Sequence, residues 1–500
     1  MLTANYANLT TVSWVCTRGI PRAESLKALT RKVELTVLVL MDAVAVFFAN
    51  RIWHQARFEW GWFADPVLIP DPGVTSLMIV LLTGFWLVVF TFFGLYRERY
   101  ASSRFDELVT IVKVVTVGIL VLFLLLFVET LDAHSARSNI LAYWAAIILC
   151  VSIGRIMVRS IQKLLILRGR GLHRALIVGW SDILDSLHEE VARYPEAGLS
   201  IVGAVRLTRD LKQEGVASGA TQTLMGDGHR VEDLPRLIDE LDVQDVLIAL
   251  GPNDGDELME VLRLTDGKPV TLKLVPNFYS IIGGMARTEH MYGLPLIEVL
   301  PEPMQAWEQS LKRLIDFVVS FVVLVLGLPV WVLMALFIRL SSPGPAIYRQ
   351  RRIGQKGKEF TMYKFRTMRK DAEASTGPVW ATEDDPRYTA MGRWLRKTRI
   401  DEVPQFFNVL RGDMSLVGPR PERPFFVEKL AREIPLYSRR HRVKPGITGW
   451  AQVKWKYDTS LEDVQQKVKY DLFYIENMSL RRDLQILFRT IYTALKGSGH

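Results

Sequence analysis

Four apolar runs, each about the 20 residues that a helix needs to cross a hydrocarbon core, lie at 33–53, 74–96, 108–128 and 140–161. A chain built this way cannot gather all its apolar residues around one aqueous core, and the runs predict four transmembrane helices. Basic residues set which loops face the cytoplasm. Arg22, Lys27, Arg31 and Lys32 precede the first run, Arg97, Arg99 and Arg104 separate the second from the third, and Arg155, Arg159, Lys163, Arg168 and Arg170 follow the fourth. Both ends of the predicted bundle therefore face the cytoplasm. Residues 1–28 are of mixed character, so no cleaved signal peptide is expected.

The remainder is not membrane. Hydrophobic residues reach 49% of the 500, yet charged residues hold 23%, which requires substantial soluble parts. The net charge of +9 suits anionic partners such as lipid headgroups, nucleotides or nucleic acid without choosing among them. Cys16 and Cys150 are the only cysteines, which excludes a disulfide framework or a thiolate metal site.

From 173 to 301 short β-rich runs at 174–179, 201–205, 245–250 and 270–275 alternate with amphipathic stretches, the pattern of a small parallel α/β domain. Its first strand ends at Gly179, where a dinucleotide fold would carry its phosphate turn. Trp180, Ser181 and Asp182 follow instead of further glycines, so the domain reads as Rossmann-like and structural or regulatory. A fifth apolar run, 314–338, is broken by Gly327 and Pro329 and has basic residues on both sides: Lys312 and Arg313 before, Arg339 and the basic stretch 349–358 after. Proline bends a helix, and equal basic flanks favour entry and exit on one face, so this run is predicted to re-enter. A kinked spanning helix is the alternative; it would put the last third of the chain outside.

The densest set of reactive candidates lies in 392–423, GRWLRKTRIDEVPQFFNVLRGDMSLVGPRPER. Pro404 suits a first helical turn and Gly412 a stop, which predicts a helix over 402–411 with Asp401 at its N-terminus, ionised and close to a site for phosphate. Taken alone, Asp401 is more simply a helix cap. Its neighbours point further. Glu402 is a hard oxygen ligand suited to Mg²⁺ on a diphosphate. Arg396, Lys397 and Arg399 precede the pair, and Arg420 stands between two prolines, so the arginines can clamp phosphate oxygens. Glu383, Asp384 and Asp385 read as a solvated turn. The basic stretch 349–358 lacks aromatic interleaving and a nucleic-acid motif, so a membrane surface is favoured over nucleic acid as its partner. Near the C-terminus, Leu480, Leu484, Leu487, Ile491 and Leu495 repeat at helical spacing beside arginines, equally suited to a membrane interface and to a core.

From Lys312 onward the chain resembles the polyprenyl-phosphate hexose-1-phosphate transferases, a bacterial sugar transferase family. The segments that carry the likeness are SPGPAIYRQRRIG (342–354), KGKEFTMYKFRTM (356–368), DEVPQFFNVLRGDMSLVGPRP (401–421) and KPGITGWAQV (444–453). The four helices and α/β domain before them resemble the large members. The resemblance implies that Asp401 is a nucleophile forming a phosphosugar-aspartyl intermediate with release of UMP, and that Glu402 binds Mg²⁺. It implies phosphate or nucleotide binding at Arg396 and Arg420, a place near the site for Lys364, and a re-entrant break at Pro329. Many members carry Ser before that proline, and this chain has Leu328, so the hydroxyl that could bond a freed carbonyl is missing.

The expected protein is thus a membrane protein of α plus α/β class in the bacterial inner membrane. Its parts are a cytoplasmic N-terminal segment (1–30), a four-helix transmembrane bundle (31–167) and a Rossmann-like cytoplasmic domain (172–301). A re-entrant membrane helix (308–340) and a cytoplasmic α/β catalytic phosphoglycosyl transferase domain (341–500) follow. The expected reaction moves hexose 1-phosphate, glucose before galactose, from a UDP-hexose to undecaprenyl phosphate, as the priming step of exopolysaccharide, capsule or O-antigen synthesis. An inert membrane-bound regulator is the alternative from another class, and association into a homo-oligomer stays open.

Overall fold

The computed structural model describes residues 23–62, 71–97, 104–126, 135–169, 171–179, 181–207, 230–251, 254–275, 289–291, 294–299, 304–369, 372, 385–434, 436–455 and 461–495. Two compact units divide the chain, one of residues 1–91 with 104–162, the other of 92–103 with 163–500.

The first unit is made by helices α1 (Ala23–His54), α2 (Pro72–Phe92), α3 (Arg104–Leu126) and α4 (Ser135–Leu167). Among the described residues these are the four helices long and apolar enough to cross a membrane. The second ends at Phe92, short of the apolar run's end, because Gly94 takes a left-handed φ of 72°. Small and aromatic residues fill the interior, with Val46, Ala49, Trp86, Phe90, Ile111 and Ile147 fully buried. Its buried charges are paired, as apolar surroundings demand. Arg155 bonds Asp42 at 2.6 Å and Glu107 at 3.0 Å, and Glu107 also takes Arg159 at 3.0 Å.

The second unit opens with the α/β fold. Strands β1 (His173–Gly179), β2 (Leu199–Arg206), β3 (Asp245–Ala249) and β4 (Thr271–Leu274) run parallel in the order β2-β1-β3-β4. Strands β5 (Glu289–Met291) and β6 (Leu294–Glu298) add an antiparallel edge that the periodicity of the sequence does not reveal. Side chains alternate between two buried faces: Leu176, Val178, Val246 and Ile248 on one, Ala175, Ile177, Leu247 and Ala249 on the other. Helices α5 (Ser181–Arg193), α6 (Leu234–Glu240) and α7 (Gly255–Leu264) cover them. A Cβ on Gly179 would overlap the Ala249 carbonyl, so this glycine serves the close approach of β1 to β3.

Helices α8 (Ala306–Leu326) and α9 (Leu328–Ser341) meet at Gly327 and bend by 64°. Pro329 sits in the first turn of α9, where its missing N–H costs no helical bond. The Trp331 indole N–H reaches back over the break to the Val323 carbonyl at 2.9 Å. It is a side-chain brace across the bend, where Leu328 offers no donor. Phe317, Val322, Leu326, Val332, Leu336 and Leu340 leave both helices apolar and exposed. Their outer ends are fastened. Lys312 donates to the Val417 carbonyl at 3.0 Å, Arg313 to the Val409 and Leu410 carbonyls at 2.6 and 2.9 Å, and Asp316 accepts the Leu416 N–H at 3.0 Å. At the far end Ile338 is buried against Phe365 and Leu395, and Arg366 bonds the carbonyls of Ile338 and Ser342 at 3.2 and 2.7 Å.

Beyond Ser341 come an antiparallel hairpin, β7 (Ile347–Ile353) with β8 (Glu359–Phe365), and a parallel pair, β9 (Ser415–Val417) with β10 (Gly446–Thr448). Around them pack α10 (Ala390–Lys397), α11 (Gln405–Arg411), α12 (Pro424–Glu433), α13 (Trp450–Lys454), α14 (Leu461–Glu476) and α15 (Leu480–Leu495). On α15 the C-terminal repeat divides: Leu487 packs beside buried Ile486, while Leu484 and Ile491 join Phe488 and Tyr492 in an exposed stripe.

Candidate active site

Local geometry begins at Gly392, whose absent side chain lets α10 press on the Thr367 carbonyl. After α10 the chain turns through Arg399, held at a left-handed φ of 59°, into a 3-10 turn, Ile400–Glu402. The hydrogen bonds here span three residues: Glu402 N–H to the Arg399 carbonyl at 3.2 Å and Val403 N–H to the Ile400 carbonyl at 3.1 Å. Helix α11 therefore starts at Gln405, three residues later than the sequence predicts, and Asp401 lies on the turn before it and caps nothing. Gly412, with φ of 93°, ends it as expected.

Asn408, fully buried, ties this helix to the hairpin. Its amide donates to the Thr361 carbonyl at 2.7 Å and accepts the Tyr363 N–H at 3.1 Å. That register sets Lys364, next along β8, against Glu402, with Nζ 3.4 Å from Oε1. Arg420 reaches the same oxygen at 2.9 Å and Arg399 approaches it at 3.8 Å. Arg420 comes from the strap 419–421 that follows β9. Gly418 and Gly446 let β9 and β10 close up beneath this strap, since a Cβ on either would strike backbone of the other strand's segment. Two arginines, Arg440 buried and Arg352 half-buried, then hold the strap: Arg440 donates to the Arg420 carbonyl and Arg352 to the Pro421 carbonyl, both at 2.9 Å. Glu422, just after it, pairs with Lys467 at 3.0 Å and Arg352 at 3.4 Å.

Asp401 and Glu402 are both buried, at 7% and 8% exposure, yet opposite in character. Burial penalises each carboxylate. Around Glu402, the charges of Arg420, Lys364 and Arg399 outweigh that burial and hold its carboxyl well below the usual range. Asp401 receives less compensation: burial, then the adjacent Glu402 charge, push it up to about 6 against the pull of Lys364, Arg420 and Arg396. A carboxylate held ionised by a helix terminus is therefore not what is found; the missing terminus removes that stabilisation. Burial also lowers the Lys364 ammonium to about 8 in spite of Glu402.

The other predicted residues are placed less evenly. Arg396 lies with its guanidinium 4.5 Å from the Tyr388 ring centroid and within electrostatic reach of Asp401. Lys397 is exposed and stands apart from the pair. Pro329 belongs to the helix break and touches none of the site's charges. Asp385 is buried and gripped by Arg387 at 2.8 Å, so its turn is not solvated; residues 383 and 384 lie outside the described residues. Asn408, Arg352, Glu422, Arg440 and Lys467 escaped the sequence reading. Asn408 alone had a visible signal, an amide between apolar residues of a short helix.

Three buried polar atoms at this place have no hydrogen-bond partner among the described residues: Asp401 Oδ1, Gln405 Nε2 and the Tyr388 hydroxyl. Unpaired buried groups are costly and mark where a ligand bonds. No cluster of three or more His, Cys, Asp or Glu suited to a metal occurs among the described residues.

Residues 307–497 match the bacterial sugar transferase family, and 91–276 match a CoA-binding domain family. A UDP-glucose:undecaprenyl-phosphate glucose-1-phosphate transferase of Escherichia coli (strain K12) is 34% identical over 361 residues, 70% of this chain and 75% of that protein. The chain belongs to the bacterial sugar transferase family. A protein of the same description from Xanthomonas campestris pv. campestris is 30% identical over 82% of this chain and 84% of its own length. A UDP-N-acetylgalactosamine-undecaprenyl-phosphate N-acetylgalactosaminephosphotransferase of Aeromonas hydrophila reaches 44% over 216 residues, which is half of that protein. The sugar transferase match spans α8 through α15 and so contains the carboxylate pair, the strap and the bent helix pair.

Proposed function

We propose that this sugar transferase moves a hexose 1-phosphate from a UDP-hexose to undecaprenyl phosphate and releases UMP. The reading rests on one observation above others, a buried carboxylate with a free oxygen, Asp401 Oδ1, beside a second carboxylate whose cations are already engaged. Such an oxygen is a nucleophile in want of an electrophile. Asp401 attacks the β-phosphorus, the bond from that phosphorus to the bridging oxygen breaks, and UMP leaves with the bond's electrons. A phosphosugar-aspartyl ester remains. The phosphate oxygen of the carrier then attacks the same phosphorus, Asp401 departs as carboxylate, and undecaprenyl-diphospho-hexose is formed. Arg420 and Arg396 neutralise phosphate charge as it shifts, which is most of what phosphoryl transfer asks of a protein.

The donor set also suits Mg²⁺, which commonly takes one or two carboxylates and completes its shell with substrate phosphate and water. Glu402 would hold it, and when bound it supplies further neutralisation of the diphosphate. Lys364 and Arg420 fix the Glu402 carboxylate in place for that task.

The fastened ends of the bent helix pair support the topology. Both the start of α8 and the end of α9 are bonded into the fold that carries Asp401. That arrangement suits a re-entrant segment in the bacterial inner membrane, with the catalytic fold on the cytoplasmic face among nucleotide sugars. The exposed stripe of α15 faces the same lipid surface. Glucose is the first choice of sugar, since two of the relatives described are named for UDP-glucose; galactose is second. The product primes exopolysaccharide, capsule or O-antigen synthesis.

UMP release from a panel of UDP-sugars by membranes bearing the wild type or Asp401→Ala, with undecaprenyl phosphate and Mg²⁺, tests the reading. Carrier-dependent UMP from one donor, abolished by the substitution, is expected. Release of UDP, or activity that survives the loss of Asp401, overturns it.

A further inference from the structure

The strap that presents Arg420 is held from behind by a segment that also touches the α/β fold. Residues 436–442 form this segment, a 3-10 stretch (Tyr437–Arg442) entered through Leu436 at a left-handed φ of 60°. A leucine pays in strain for that conformation, and such outliers persist where the surroundings demand them. Here two surroundings make opposing demands. Ile434 and Tyr437 pack into the catalytic cluster with Leu430 and Val468. Leu436 between them turns away and packs against the core of the α/β fold, the cluster of Val261, Leu262 and Leu272. Asp266, in the turn after α7, lies beside the Ser438 hydroxyl and faces Arg439 and Arg442.

The next residue is Arg440, buried at 3% exposure. Its guanidinium bonds Asp471 at 2.8 Å, the Tyr437 hydroxyl at 2.9 Å and the Arg420 carbonyl at 2.9 Å. All the bonds described for it fix the strap or its own scaffold; none reaches the carboxylate pair. Arg420 in turn meets Glu402 at 2.9 Å. A continuous chain of contacts thus runs from Asp266 and Leu436 through Arg440 to Glu402.

We propose that Arg440 is a positioning residue for Arg420, and that the α/β fold, by clasping Leu436 and Ser438, sets where Arg440 holds the strap. This rests on the reading of Arg420 as a phosphate clamp. It gives the α/β fold a part in the reaction without requiring it to touch substrate.

The test is steady-state UMP release by the full chain in membranes, at varied UDP-hexose, for wild type, Asp266→Ala, Leu436→Ala, Arg440→Lys and the double variant Asp266→Ala with Arg440→Lys. Lysine is chosen because Arg440→Ala would take its cation from the buried Asp471 carboxylate. A merely structural loss lowers the amount of active enzyme and leaves KM alone. A displaced clamp raises KM by about fivefold, the lower end of ordinary coupling between sites, and the double variant should be no worse than the worse single one. KM within 1.5-fold of wild type in both Asp266→Ala and Leu436→Ala, or multiplied effects in the double, overturns the coupling while normal wild-type release leaves the reaction standing. Absent carrier-dependent UMP in the wild type overturns both.

Discussion

A buried carboxylate proposed as a nucleophile works against its own burial. Asp401, raised from an ordinary 3.8 to about 6, keeps its proton in the folded chain over a range where the unfolded chain has lost it. The stability this lends is fully present below about pH 4 and is lost as pH rises through about 6. Asp401→Asn, neutral at every pH, should therefore gain up to about 3 kcal/mol over wild type at pH 7.5 and nothing from this source at pH 4. Thermal unfolding at the two values measures it; an equal shift at both pH values would refute the burial argument. Turnover of the wild type should fall as pH drops through 6, since only the ionised carboxylate attacks. The sequence did single out Asp401, Glu402, Arg396 and Arg420, because they lie within one short stretch. It could not give their ionisation. The charges that separate Asp401 from Glu402 include Lys364, which chain folding alone brings near.

Among the elements, the bend at Gly327 was legible from proline, glycine and charge, the hairpin β7–β8 not at all, since its basic stretch reads as surface rather than as strand, and helix α11 only in part. Its start moved because Arg399 takes a left-handed turn, a strain that no residue pattern announces. The elbow itself can be probed. Trp331→Phe removes the indole donor to the Val323 carbonyl, which retains the Gly327 N–H at 3.2 Å, and should cost about 1 kcal/mol. Gly327→Ala drives a Cβ into the Trp331 ring and the Val323 carbonyl and should cost about 2–3 kcal/mol. Thermal unfolding in lipid nanodiscs ranks the two; the reverse order would mean that the indole, and not the space beside it, holds the bend.

For the whole molecule, the alternation of strands and amphipathic stretches announced the α/β fold, and four apolar runs announced the bundle. The antiparallel edge β5–β6 stayed hidden because three- and five-residue strands carry too little periodicity. The contacts of Leu436 stayed hidden because their partners lie more than 150 residues away in the chain. Topology is the open expectation at this scale. In a variant freed of Cys16 and Cys150, single cysteines at Gln305 and Lys358, both exposed, should react with an impermeant maleimide only from the cytoplasmic side. Labelling of the second from outside would make α8 and α9 one crossing.

The elbow at Gly327 also bears on how the chain is made. In the re-entrant topology proposed above, the helix pair asks no hydrophilic stretch to traverse the bilayer, so the entire catalytic half would leave the ribosome and fold where it was synthesised. In that topology translocation machinery would be needed for the first four helices alone, and the last step of assembly would be the wedging of a prefolded hairpin into one leaflet.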